Sequence, residues 1–280
     1  MSRIVGAYFT SHVPAIGGAI ARHDEEEAYW KPFFDGFPPV RKWLAEARPD
    51  VAVVFYNDHG LNFFLDKMPT FAVGAAPAYN NADEGWGLPV YKPFRGLPEL
   101  SWHVIEQLVA DEFDITTCQE MLVDHALSIP FELAWPECEA WPLRLVPIAI
   151  NTVQHPLPSP KRCLALGRSV NRALSSWTGA ERVVVIGTGG LSHQLDGQRA
   201  GFINPDYDRF CMDHLAADPD ALTMHSIEEM VALAGTQGVE LLNWIAARGA
   251  LGDVPLREAT RSYHIPISNT AAATMVLEPA

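Results

Sequence analysis

The chain has 280 residues, 48% of them hydrophobic, which suits one large domain or two small ones and excludes a disordered polypeptide. Its 34 acidic against 20 basic residues give a formal charge of −14, which argues against nucleic-acid or anionic-membrane partners, since both demand basic surface. Four scattered cysteines (Cys118, Cys138, Cys163, Cys211) without a CxxC pair, no signal-like N-terminus and no membrane-length apolar run read as a soluble, cytoplasmic protein with reduced thiols.

Residues 3–11 alternate and are rich in Ile, Val, Tyr and Phe, which predicts a first strand ending at His12, ahead of the break at Val13-Pro14. Residues 22–30 form a charged, solvated face, and 39–47 read as a short helix. The organising stretch is 51–60 (VAVVFYNDHG): a buried strand followed by Asn57, Asp58 and His59 at the sheet edge where open α/β sheets bind ligands. Alternation puts Asn57 and His59 on one side and Asp58 on the other. A strand at 70–75 leads into a long Gly- and Pro-rich loop over 76–98, of the kind that forms binding loops or lids. Residues 99–112 have helical spacing, with His103 in a structural role, and 113–117 form a brief strand.

A third strand-like stretch, 121–125, closes on Asp124-His125, and a short helix is expected to open at Ser128-Ile129-Pro130. Residues 144–151 predict another buried strand, and 159–177 a helix capped by Ser159 with Pro160 at its first position. The most hydrophobic strand candidate, 182–186, runs into Gly187-Thr188-Gly189-Gly190-Leu191-Ser192-His193. With neither GxGxxG nor a Walker lysine, those glycines shape a turn that presents Ser192 and His193. Residues 194–204 read as a loop, 205–217 and 219–234 as helices with His214 and His225 on outer faces, and Glu240 as the start of an apolar helix. The chain ends with 263–272 (YHIPISNTAA) and a last apolar segment at 273–277. The expected fold is a single α/β domain over 1–280, layered α/β/α around a mixed, largely parallel sheet.

His12, His59, His125, His193 and Glu240 are the groups that carry chemistry. Each also has an ordinary reading, as a turn histidine or an acid at a helix start. Together they suit a metal: two imidazoles and a carboxylate on one face form the triad of non-haem Fe(II) sites, while a hydrolytic zinc site uses the same donors. There is no HExxH helix, and spacing alone does not divide the groups between metal ligands and acid/base residues.

The motifs TSHVPA (10–15), YNDH (56–59), ADEGWG (82–87), VDH (123–125), GTGGLSHQ (187–194), RAGFIN (199–204), GVELLNW (238–244) and YHIPISNTA (263–271) resemble, in order, those of the class III (LigB-type) extradiol dioxygenases. Within that family the likeness is greatest to the β chains of protocatechuate 4,5-dioxygenases. The resemblance implies Fe(II) held by His12, His59 and Glu240, His193 as acid/base, and His125 facing substrate and oxygen. It also implies Asn57 behind the metal, with Ser268 and Asn269 on a substrate carboxylate. The implied reaction opens a catecholic aromatic acid with O₂ beside its two hydroxyls. Alternatives within the class are gallate, 3-O-methylgallate, an aminophenol, or 2,3-cleavage of protocatechuate; outside it stand a zinc hydrolase and a non-enzymatic binding protein on the same fold. The chain departs from the family at Ala126-Leu127-Ser128, where a glycine usually follows the histidine, and stops soon after its last strand. The expected partner is therefore a separate small helical α chain acting as a lid, or a second copy of this one.

Overall fold

The computed structural model describes residues 3–85, 88–89, 91–136 and 138–280, the side chain of Pro266 excepted. Trp86 and Gly87 of the ADEGWG motif lie outside the described residues. In chain order the strands are β1 (Arg3–Thr10), β2 (Val51–Tyr56), β3 (Phe71–Gly74), β4 (Ala78–Asn81), β5 (Phe94–Arg95), β6 (Thr116–Cys118), β7 (Leu122–Val123), β8 (Arg144–Ile150), β9 (Arg182–Thr188), β10 (Leu256–Ile267) and β11 (Thr270–Pro279). The helices are α1 (Pro14–Arg22), α2 (Lys31–Phe34), α3 (Phe37–Ala47), α4 (Pro98–Ala110), α5 (His125–Ala134), α6 (Pro160–Ser176), α7 (Pro205–Ala217), α8 (Ile227–Ala234) and α9 (Leu241–Ala250). No helix among the described residues is long and apolar enough to cross a membrane.

Eight strands form one sheet in the order β10-β11-β1-β9-β2-β8-β3-β6. The β1–β9, β9–β2, β2–β8 and β3–β6 pairs are parallel, and the β1–β11, β10–β11 and β3–β8 pairs antiparallel. This is the expected mixed, largely parallel sheet. The central strands are buried on both faces, which explains their unbroken apolar runs. Val51, Val53 and Phe55 of β2 join one core with α4, α6 and α9, whereas Ala52, Val54 and Tyr56 join the other with α1, α3 and α5. Strand β9 divides the same way, with Val183 and Val185 against Val184 and Ile186. Helices therefore cover both faces and the layers are α/β/α.

Four local expectations need correction. Leu122–Val123 joins a small separate sheet, β5-β4-β7, and helix α5 starts at His125, because the Asp124 side chain caps it by accepting the Ala126 N–H. Residues 76–98 are not one loop, since they contain β4 and β5. The helix expected over 219–234 is divided: Ser226 and Glu229 form a reciprocal capping box that starts α8 at Ile227. The closing segment is a long antiparallel hairpin whose first strand begins at Leu256.

Candidate metal centre and active site

The parallel strands β1, β2 and β9 end side by side, and each is followed by a chemical group: His12, Asn57 with His59, and the glycine turn leading to His193. Glu240 arrives from the opposite direction, in a single 3-10 turn (Gly238–Glu240) that leads into α9. Its carboxylate oxygens face two imidazoles, with Oε2 3.4 Å from His12 Nε2 and Oε1 3.5 Å from His59 Nε2. The remaining ring nitrogens are engaged from behind: His12 Nδ1 by the Thr188 hydroxyl at 3.1 Å, and His59 Nδ1 by Asp124 at 3.0 Å. Those partners aim both Nε2 atoms at Glu240, the usual arrangement behind metal-bound histidines.

The donor set fits a divalent cation. His12 Nε2 is buried and has no hydrogen-bond partner, a costly state for a ring nitrogen unless something else binds it. The electrostatics agree. Burial opposes charge on His59, but Asp124 and Glu240 outweigh it and push the ring up to about 10. Burial likewise disfavours the Glu240 carboxylate, yet His12, His59 and His193 hold it well below the usual carboxylate range. A bound cation would take the place of the proton that these carboxylates favour. His12, His59 and His125 also present ligand atoms within 4.8 Å of one another. A three-histidine set would leave Glu240 buried beside the metal without joining it, so the two-histidine, one-carboxylate set is electrostatically the better one.

Asn57 braces the set, its Nδ2 lying 3.2 Å from Glu240 Oε1 and 3.1 Å from His59 Nε2. The fully buried Asn243 of α9 holds Asn57 in turn, donating to its Oδ1 and to the Thr188 carbonyl. As alternation required, Asp58 points away and accepts the backbone N–H groups of residues 60–63.

The glycine turn exists to allow close approach. A Cβ on Gly189 would stand 2.8 Å from Glu240 Cβ, and one on Gly190 would stand 2.7 Å from His193 Cε1. The Gly190 N–H also donates to Glu240 Oε2 at 2.7 Å. His193 Nδ1 lies 3.0 Å from the Leu191 carbonyl, which only accepts, so Nδ1 carries the proton and Nε2 is the basic nitrogen. Nε2 stands 3.9 Å from Glu240 Oε2. Behind the turn, the buried Asp208 accepts from the Ser192 N–H (2.8 Å), the Ser192 hydroxyl (2.6 Å) and Tyr263 (2.8 Å).

His12, Asn57, His59, His125, His193 and Glu240 all line one cavity of about 270 Å³, with Val13, Pro14, Val153 and Leu195 as its apolar walls. Its polar lining includes Thr152, Gln237 and Thr270, and no lysine or arginine among the described residues. Ser268 and Asn269 are not brought into that lining: they form the exposed turn between β10 and β11, where the Ser268 N–H donates to Tyr29. Asp124, Glu84, Thr188 and Asn243 were given no role by sequence reasoning. A signal existed for Asp124 and Glu84, which stand within the VDH and ADEGWG motifs, and for Asn243, which stands within GVELLNW.

The sequence model of the family described as the catalytic LigB subunit of aromatic ring-opening dioxygenases matches residues 6–274. The chain belongs to the LigB family. It is 36% identical over 197 residues to gallate dioxygenase from Pseudomonas putida, an alignment covering 70% of this chain and 57% of that relative. It is 32% identical over 198 residues to a 2,3-dihydroxyphenylpropionate/2,3-dihydroxicinnamic acid 1,2-dioxygenase from Photorhabdus laumondii, covering 70% and 58%. These alignments thus span less than two thirds of either relative. An enzyme of the latter name from Rhodococcus sp is 27% identical with 91% of each chain covered. Among solved structures, an uncharacterized protein from Escherichia coli K12 superposes with a TM-score of 0.59 over 97% of this chain and 99% of that one, at 13% identity, and so shares the fold.

Proposed function

We propose that this chain is the catalytic unit of a non-haem Fe(II) extradiol dioxygenase that opens a catecholic aromatic acid with O₂. The observation that carries the proposal is the convergence of His12, His59 and Glu240 on one point at the wall of a cavity that His193 and His125 also line. Fe(II) bound by those three residues would acidify a catechol hydroxyl and supply the redox chemistry with O₂. His193 Nε2 takes the hydroxyl proton and later returns one, with the Leu191 carbonyl holding its tautomer throughout. His125 works from the His59 side, and Val13, Pro14, Val153 and Leu195 offer the ring apolar contact.

The substrate we favour is protocatechuate, cleaved at its 4,5 bond to 4-carboxy-2-hydroxymuconate semialdehyde. No cationic side chain is found in the described lining, so we assign its carboxylate to neutral donors at the cavity mouth. Thr270 lines the cavity, and Ser268 and Asn269, although outside the lining, directly precede Thr270 in the exposed β10–β11 turn, where a ring substituent projecting from the mouth would meet them. A second reading, gallate, is supported by the 36% identity to gallate dioxygenase. We further assign a covering element, either a small helical α chain or a second copy of this one: Val153 and Leu195, at 49% and 54% exposure, leave apolar surface at the cavity. The free thiols support a reducing cytoplasmic setting. Oxygen uptake and product mass after anaerobic Fe(II) loading, on protocatechuate, gallate, 3-O-methylgallate, 2,3-dihydroxyphenylpropionate and catechol, test the proposal. Iron-dependent uptake yielding a ring-opened acid is expected. Uptake on none of them, or activity supported by zinc alone, overturns it.

A further inference from the structure

The segment after β4 brings a buried carboxylate to the site that the reading above leaves without a role. Glu84, its side chain 6% exposed, grips His125 at two points. Oε1 accepts the His125 backbone N–H at 2.7 Å, and Oε2 stands 2.5 Å from its Nδ1. The pairings cross: Asp124 serves His59, while the adjacent His125 is served by Glu84 from 41 residues away. The two imidazoles so held stack with centroids 4.2 Å apart and planes 28° from parallel.

Glu84 accepts the backbone N–H and holds Nδ1, so the His125 proton sits on Nδ1 and Nε2 is the basic nitrogen of a ring that lines the cavity against His12 and His59. Gripping the backbone and the ring of one residue also stops the ring turning, because rotation would break the Nδ1 bond while the backbone bond held the carboxylate in place. Resting on the dioxygenase reading, we propose that Glu84 is a positioning residue that sets the tautomer and tilt of His125 and so presents Nε2 to the bound ring. The purely structural alternative is a carboxylate stabilising the N-terminus of α5.

Glu84→Gln separates the two. Its single oxygen still satisfies the backbone N–H, but its amide then faces Nδ1 and drives the ring proton to Nε2. Outer partners of site histidines are typically worth about 10- to 100-fold, so kcat should fall by that factor with iron content unchanged and KM within about threefold. In a His125→Ala background, where there is no ring to position, the same change should move kcat by less than about twofold. Nitrogen-15 NMR of histidine-labelled, metal-free protein reads the tautomer directly, with His125 protonated at Nδ1 in the wild type and at Nε2 in Glu84→Gln. An Nε2–H wild-type ring, unchanged kcat in Glu84→Gln, or an undiminished loss in the His125→Ala background overturns the proposal. Should the wild type consume no oxygen with any catechol, the dioxygenase reading fails, and the tautomer measurement still decides the role of Glu84.

Discussion

Replacing Asp124 tests how the site is held, because one carboxylate performs two separable tasks. Oδ1 accepts the Ala126 N–H as the cap of α5, and Oδ2 accepts both the backbone N–H and Nδ1–H of His59, at 2.9 and 3.0 Å. Burial resists the charge, but His59 outweighs it and holds Asp124 at about 2, so the acceptor is ionised at neutral pH. Asp124→Ala removes everything. A lost cap costs about 1 kcal/mol and each of the two hydrogen bonds to the buried charge about 1.5–3, so the metal-free protein should lose about 4–7 kcal/mol. Asp124→Asn keeps the cap, since asparagine caps as well as aspartate, and should lose about half as much. Its amide, however, would face two donors at His59. The ring must then accept at Nδ1 and carry its proton on Nε2, the nitrogen aimed at Glu240. Iron affinity should therefore fall about 10- to 100-fold in the Asn variant despite its better stability. Urea unfolding of metal-free protein and anaerobic Fe(II) titration measure the two effects. Equal stability of the Ala and Asn variants, or wild-type iron affinity in Asp124→Asn, would refute the reasoning.

His193→Gln should retain iron and bind substrate yet lose roughly 10²–10⁴ in kcat, the scale of general acid–base catalysis; iron content and turnover on one preparation check it. Gly190→Ala puts a methyl 2.7 Å from His193 Cε1 and 2.9 Å from Thr270 Cγ2, so steady-state kinetics should show turnover falling by up to about 10²-fold while the metal is kept. Asp208→Ala strands three donors behind the same turn and should cost about 2 kcal/mol or more in urea unfolding. Ser268→Ala should raise KM for protocatechuate about tenfold, from the loss of a hydrogen bond to a charged group, and leave catechol unchanged; an equal effect on both substrates would remove the turn from carboxylate recognition.

What was legible in the sequence follows from physics that acts locally. Strands β2 and β9 are buried on both faces, so their apolar runs stand out, and the polar groups at their ends mark the ligand-binding edge. Strand β10 was missed because it is a partly exposed edge strand, and Leu256–Ser262 carries no apolar period. Pro130 suggested a helix starting near it, whereas it sits inside α5 and the start is set by the Asp124 cap. The placement of His12, His59, His193 and Glu240 around one point needs sheet order, which the spacing of residues does not contain. The pairing of Glu84 was hidden for the same reason, since its partner His125 lies 41 residues on, beyond β5, α4, β6 and β7.

Iron content of anaerobically loaded protein bears most directly on the central claim. One Fe(II) per chain is expected in the wild type and in His125→Ala, with loss of the metal in each of His12→Ala, His59→Ala and Glu240→Ala, because two remaining ligands hold it weakly. Full iron in all three of those variants, or loss of iron on removing His125 but not Glu240, would contradict the account.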